Sequence, residues 1–267
     1  MYQDIEYAVD GHVATITLNR PDRLNAWTGQ MEKDIRAAME AAAADTNVRA
    51  IIVTGAGRGF CAGADMNILT GIQAAPGETN PDATGSAGGA DNFKQKFSYL
   101  LAIEKPIFMA INGPIAGIGL CFAVFGDFRY MAEGAKLTTA FAKRGLIAEH
   151  GVSWMLPRLI GTMNALDLLC SARTIDAAEA ERMGLVRKLP FEGFLARVQQ
   201  IAHEMATTAS PRSIGIIKRQ VWRTHFQSLA EAWGDADIEM KKSFASEDFK
   251  EGVAHFVEKR APAFTGR

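Results

Sequence analysis

Lys105-Pro106-Ile107-Phe108-Met109-Ala110-Ile111-Asn112-Gly113-Pro114-Ile115-Ala116-Gly117-Ile118-Gly119-Leu120 is the stretch whose reading decides the fold. Ile107 to Ile111 is an apolar run of strand length, and it ends in Asn-Gly-Pro and then Gly-x-Gly. A helix-capable apolar segment, 120–125, follows. A strand that stops at a glycine turn and restarts as a helix aims backbone N–H groups at one point, and the helix dipole reinforces them. Such a point binds a phosphate or stabilises a developing oxyanion. The same pattern also fits an ordinary βα turn of a parallel sheet.

Upstream, residues 5–9 and 12–18 alternate apolar and polar side chains around Asp10-Gly11, the pattern of a β-hairpin. A polar loop, Asn19-Arg20-Pro21-Asp22-Arg23-Leu24-Asn25-Ala26, leads to Thr28, which caps an alanine-rich helix running to about Ala44. Residues 49–54 form a continuous apolar strand, as a parallel sheet buried on both faces requires. The glycines after it, Gly55, Gly57 and Gly59, suggest a dinucleotide fold, but the sixth position is Phe60 rather than glycine. The fingerprint fails, which excludes a nicotinamide or flavin dehydrogenase on this evidence.

Residues 71–92 shift to Gly, Ala, Pro, Ser and Thr and read as a mobile loop that closes over a ligand. Helix is expected at 93–103, strands at 128–132 and 136–138, and a helical turn at 141–144 ending at Gly145. Helices follow at 152–160, 164–169 and 177–183, the last capped by Asp176, with a brief strand at 185–188. From Gly193 to the end the chain reads as helical, with breaks at Ser210-Pro211 and Gly234.

At 267 residues and 48% hydrophobic composition, the chain can bury a sizeable core. A formal net charge of −1 without basic clustering argues against a nucleic-acid surface. No apolar run approaches a membrane span and the first residues lack a signal-peptide pattern, so a cytoplasmic protein is expected. Cys61, Cys121 and Cys170 lack metal-ligand spacing; reduced thiols and no metal are expected.

The landmarks together resemble the crotonase superfamily, the enoyl-CoA hydratase/isomerase family. The resemblance rests on Asn19-Arg20-Pro21-x-Arg23-x-Asn25-Ala26, on Gly59 to Asp65, and on Lys105-Pro106 through Asn112-Gly113-Pro114-x-x-Gly117. Asp127, Leu156-Pro157-Arg158-Leu159-Ile160-Gly161, Arg173-x-x-x-Ala177-x-Glu179-Ala180 and Gly184-Leu185-Val186 continue it. Each motif alone is weak, whereas their order and spacing are specific.

The resemblance implies an α/β fold: a crotonase-like ββα spiral core, residues 1–205, with a helical C-terminal trimerisation region, 206–267. It implies an acyl-CoA thioester as ligand and a homotrimer or dimer of trimers. No cofactor is expected, coenzyme A being part of the substrate. An enolate would be held by the backbone N–H groups of Ala64 and Ile118. Arg23, Asn25 and Ala26, with Ala62, Asp65, Met66 and Asn67, correspond to coenzyme-contacting positions, and Lys259 or Arg260 is a further candidate for the phosphates.

The departure from the family is chemical. A hydratase of this family carries glutamates at the positions of Cys121 and Phe141, and both are absent. Glu149 stands four residues after Gly145, a placement similar to the single base of peroxisomal-type Δ3,Δ2-enoyl-CoA isomerases. One carboxylate suffices to move a proton between two carbons. Allylic isomerisation is therefore the expected reaction. The alternatives are a hydratase in which Glu149 does both proton transfers, and a catalytically weak acyl-CoA-binding member. Glu149 also reads as an idle acid near a helix start, and His150 as a hydrogen-bonding neighbour.

Overall fold

The computed structural model describes residues 1–67, 70 and 91–267. The expected ligand-closing loop, 71–92, lies outside them except for residues 91 and 92.

The hairpin forms as β1 (Ile5–Asp10) and β2 (Val13–Leu18), paired antiparallel from Ile5 opposite Leu18 to Asp10 opposite Val13. The Thr28 hydroxyl accepts from the Met31 N–H and starts α1 (Gly29–Ala44). This helix returns the chain to β3 (Ala50–Gly55), which lies parallel to β2. Next come β4 (Ile107–Ile111), β5 (Ile115–Ala116), α2 (Ile118–Ala123), β6 (Phe128–Ala132) and β7 (Lys136–Thr138). They are followed by α3 (Val152–Ser171), β8 (Ile175–Asp176), α4 (Ala177–Arg182) and β9 (Arg187–Leu189). The larger sheet has the order β1-β2-β3-β4-β6-β9, parallel from β2 onwards. The smaller sheet has the order β5-β7-β8. This is the α/β architecture expected from the alternation of strands and helices.

Period-2 burial on both faces explains the uninterrupted apolar strands. Ile51, Val53, Ile107, Met109 and Ile111 face the main core. Their alternates Ala50, Ile52, Phe108 and Ala110 face a second cluster, built with Phe194, Val198, Ala202 and Ala206 of α5 (Phe194–Thr208). Phe108 stacks on Phe128 of the adjacent strand at 4.8 Å between centroids.

Several local expectations differ from the structure. Residues 93–103 do not form an α-helix; their helical part is a 3₁₀ segment at Ser98–Ala102. Phe97 with Leu100, and Ser98 with Leu101, repeat at three-residue spacing, and all four are buried. That spacing fits three residues per turn. Gly234 does not break a helix either: α7 (Leu229–Phe244) runs through it, and its Cβ position is open space. The break falls instead before Ser228, whose capping box with Glu231 starts a new helix after α6 (Pro211–Arg223). The chain does not stay helical to its end. α8 (Glu247–Glu258) stops at Lys259, which has a left-handed φ of 54°, and Asp248 then accepts from Thr265 and Gly266 N–H.

The C-terminal helices are pinned to the core by buried polar groups. Lys218 of α6 pairs with Asp127 at 2.7 Å and donates to the Leu100 and Lys105 carbonyls. Asp127 also accepts from Trp222 Nε1 and the Ile107 N–H.

Candidate active site

Two loops expected to contact coenzyme A lie side by side. Asn25 is fully buried; its carbonyl oxygen accepts from the Arg20 N–H and its amide donates to the Ala56 and Gly59 carbonyls. Its side chain is thus spent on bonds inside the loop. Ala62 N–H donates to the Leu24 carbonyl. Arg20, quoted in the motif but given no role from sequence, bonds both the Ala26 carbonyl and Asp65. Asp65 also accepts from the Asn67 N–H, and these bonds with Arg20 hold its carboxyl below the ordinary range despite burial. Arg23, Met66 and Asn67 are exposed on this edge.

The stretch from β4 to α2 differs from a simple strand–turn–helix. After Ile111 the chain spends two residues as β5, so it crosses into the second sheet before α2 begins. Asn112 anchors the crossing, accepting from the Gly55 N–H and donating to the Gly55 and Gly57 carbonyls. Gly117 precedes α2 with φ +51° and ψ −122°, a conformation that favours glycine. A Cβ at Gly119 would stand 2.7 Å from that of Cys61, so only glycine fits there.

Ala64 and Ile118 come from these two strands of chain. Trp27 donates its N–H to the Gly63 carbonyl and accepts from the Asp65 N–H, which leaves the intervening Ala64 N–H outside that ladder. Ile118 is the first residue of α2, where the N–H has no carbonyl one turn back. The Gly63 and Gly117 backbones pass within van der Waals reach: a Cβ on Gly117 would lie 3.9 Å from Gly63 Cα.

Glu149 stands beside this crossing. Its carbonyl accepts from the Val152 N–H, and the Cys121 thiol lies 3.7 Å from the same oxygen. The cap position of α3 is Gly151, and no side chain caps the helix, so Glu149 is not spent on starting it. Its side chain is about one-third exposed, and among the described residues the carboxylate accepts no hydrogen bond. His150 Nε2 lies 3.6 Å away, beyond hydrogen-bond length.

Burial pushes the Glu149 carboxyl above the ordinary carboxylate range, and the Lys96 ammonium pulls against it. Burial, assisted by Lys96, pushes His150 down to about 4, so its ring is neutral at neutral pH. The two hydratase positions hold Cys121, fully buried, and Phe141, 4% exposed. Burial and the nearby Glu149 push the Cys121 thiol up, so it stays protonated. Lys96 is missed by sequence reasoning, since one lysine in an expected helix carries no signal. It is buried and ion-paired with Glu32 at 2.8 Å.

Aromatic contacts join the two halves of the site. The Trp27 ring meets Phe97 and Phe122 at 5.4 and 5.2 Å, and Phe97 meets the His150 ring at 5.6 Å. Beyond His150 opens a cavity of about 350 Å³, lined among others by Phe97, Leu101, Phe125, Trp154 and Phe226. At the chain's far end, Arg260 is held by Glu251 and Glu258.

Comparison with known proteins gives the chain a family. A profile described as enoyl-CoA hydratase/isomerase matches residues 9–267. The chain is 33% identical over 270 residues to the 1,2-epoxyphenylacetyl-CoA isomerase of Escherichia coli (strain K12), covering 97% of each. It is 36% identical over 270 residues to a protein of Mycobacterium bovis named a probable enoyl-CoA hydratase, covering 100% of this chain and 99% of that one. Among solved structures, an enoyl-CoA hydratase/isomerase from Mycobacterium paratuberculosis matches with TM-score 0.84 at 29% identity, over 99% of both chains. An enoyl-CoA hydratase from Bacillus anthracis matches with TM-score 0.85 at 25% identity, over 99% of this chain and 100% of that one. With its fold and these end-to-end alignments in agreement, the chain belongs to the enoyl-CoA hydratase/isomerase family and is an acyl-CoA enzyme.

Proposed function

We propose that this enzyme moves a double bond within an acyl-CoA thioester, converting a 3-enoyl-CoA to the 2-enoyl-CoA, with Glu149 as its only base. The observation that carries the reading is the exchange of carboxylates. Cys121 and Phe141 fill the positions of the two hydratase glutamates, and Glu149 offers a half-buried carboxylate without a hydrogen-bond donor among the described residues. This is the pattern similar to the peroxisomal-type Δ3,Δ2-enoyl-CoA isomerases.

In this reading the Ala64 and Ile118 N–H groups receive the thioester oxygen. Glu149 takes a proton from the carbon next to the thioester, and the negative charge passes to that oxygen as a dienolate. The protonated Glu149 then returns the proton two carbons further along, and the double bond settles in conjugation. A carboxyl whose burial brings its pKa nearer the operating pH suits both halves of the transfer. Backbone donors already in place stabilise the charge where it develops. Arg23, Ala26, Ala62, Met66 and Asn67 border the coenzyme path, with Asn25 and Asp65 shaping it.

A second reading is hydration of the 2-enoyl-CoA, favoured by the hydratase name of the Mycobacterium bovis relative. The two part on rates measured with wild-type enzyme. Isomerisation of a 3-enoyl-CoA should outrun hydration of the matching 2-enoyl-CoA; hydration faster by tenfold or more would overturn the isomerase assignment. The proposal includes reduced thiols in a cytoplasmic setting and a homotrimer or dimer of trimers, assembled through the C-terminal helices.

A further inference from the structure

Resting on the reading of this site as an acyl-CoA site, we propose that the cavity beyond His150 selects acyl groups that carry a planar unsaturated ring, and that Trp154 and Phe226 are its specificity-determining residues. At about 350 Å³ the cavity is roughly twice the ~150 Å³ apolar space that accommodates benzene, enough for one ring and the linker leading to it.

The kind of wall decides the ligand. The Trp154 indole has Arg158 over its ring at 4.0 Å and Phe226 stacked on it at 5.3 Å, only 6° from parallel. Trp154 and Phe226 line the cavity together with Phe97 and Phe125, so four aromatic side chains form its wall. Phe97 makes T-shaped contacts with Trp27, Phe122 and His150. Aromatic walls pair with another ring in offset-stacked or edge-to-face geometry, a gain beyond area burial that a saturated chain does not offer.

The wall is also held in place. Phe93 meets Phe226 edge-on at 5.6 Å, and His225 meets Trp154 at 5.4 Å, so the stacked pair is braced from two sides. Phe226 belongs to the turn between α6 and α7, Trp154 to the first turn of α3. The cavity wall is therefore shared between the catalytic half and the C-terminal helices.

The test compares dissociation constants for 4-phenylbutanoyl-CoA and decanoyl-CoA, each with ten acyl carbons, and for coenzyme A alone. The ring thioester is expected to bind about five- to tenfold more tightly than the chain, the gain of one or two aromatic pairs. Equal or tighter binding of decanoyl-CoA overturns the proposal while leaving an acyl-CoA site standing. If neither thioester binds more tightly than coenzyme A, the acyl-CoA reading of this site fails as well. In Phe226→Leu and Trp154→Leu the preference should fall to within twofold, with decanoyl-CoA affinity kept. A full preference retained in folded Phe226→Leu and Trp154→Leu proteins overturns the role of these residues. Phe226 is 43% exposed, so its variant carries the test if the Trp154 variant does not fold.

Discussion

The Cys121 thiol, in the first turn of α2, lies 3.7 Å from the carbonyl oxygen of Glu149. The helix that begins at the Ile118 N–H is thereby in contact with the backbone of the proposed base. The contact holds the Glu149 backbone and does not engage its carboxylate. Replacing Glu149 by Gln keeps the shape and removes the base. Turnover should fall by about a hundred- to ten-thousand-fold, the usual contribution of one general base, with thioester affinity within a few-fold of wild type. Single-turnover kinetics together with direct binding measurements separate the two effects, and undiminished turnover would assign the proton transfer elsewhere.

Cys121 itself should be chemically idle. Buried, and pushed towards the protonated form by its surroundings and by Glu149, the thiol is no nucleophile. Cys121→Ala should turn over within about threefold of wild type, since it removes one buried sulfur without placing or removing charge. A loss as large as that of Glu149→Gln would make the thiol part of the chemistry. Its alkylation rate, which should be negligible in the native protein, provides an independent readout.

Much of this architecture was legible in the chain because its signals are local. Thr28, Asp176 and Ser210 cap their helices, and the apolar runs at 50–55 and 107–111 become strands buried on both faces. Gly161, with φ 77° and ψ 158°, parts α3 into the two helical stretches expected from the pattern. What escaped the sequence depends on contacts between distant segments. The Arg20–Asp65 pair spans 45 positions, and Lys96 meets Glu32 across 64. Neither has a periodicity or spacing of its own. Gly234 misled because a glycine ends a helix only where the backbone must turn left-handed there. In open space it costs a helix about 1 kcal/mol and nothing more.

The Lys218–Asp127 pair should govern how firmly the C-terminal helices hold to the core. Both side chains are at least nine-tenths buried and 2.7 Å apart. Lys218→Met leaves the Asp127 charge without its cation in a dry setting, a change that typically costs about 3–5 kcal/mol. Trp222 and the Ile107 N–H still donate to Asp127, so the lower end is expected. The double variant Lys218→Met with Asp127→Asn should recover part of the loss. Urea midpoints of the three proteins test this, and a neutral single variant would show that the pair contributes nothing.

Leu229, Trp233, Phe256 and Val257 are each more than 60% exposed on α7 and α8. Large apolar side chains crowded on neighbouring helices mark a surface that another chain covers. Sedimentation at micromolar concentration should give a trimer or hexamer, and Trp233→Glu should shift it towards monomer. A monomeric wild type would remove assembly from the proposed function.

The acid limb of the pH–rate profile should belong to Glu149 and move with Lys96. A base works only when ionised, so turnover is present above the Glu149 pKa and is lost as pH falls through it. Burial raises that pKa above the ordinary carboxylate range, and the Lys96 charge lowers it. Lys96 in turn is held by Glu32 at 2.8 Å, which also receives Trp27 Nε1 at 3.4 Å. His150, pushed down to about 4, stays neutral across the working range and adds no limb there. The Cys121 thiol, pushed up, adds none either. Lys96→Gln keeps a polar side chain beside Glu32 but withdraws the cation, leaving burial unopposed at Glu149. The limb in kcat/KM should then shift to higher pH, while the rate on the plateau above it changes little. A limb that stays in place, or moves to lower pH, would mean that the ammonium does not act on the base and that another group sets the profile.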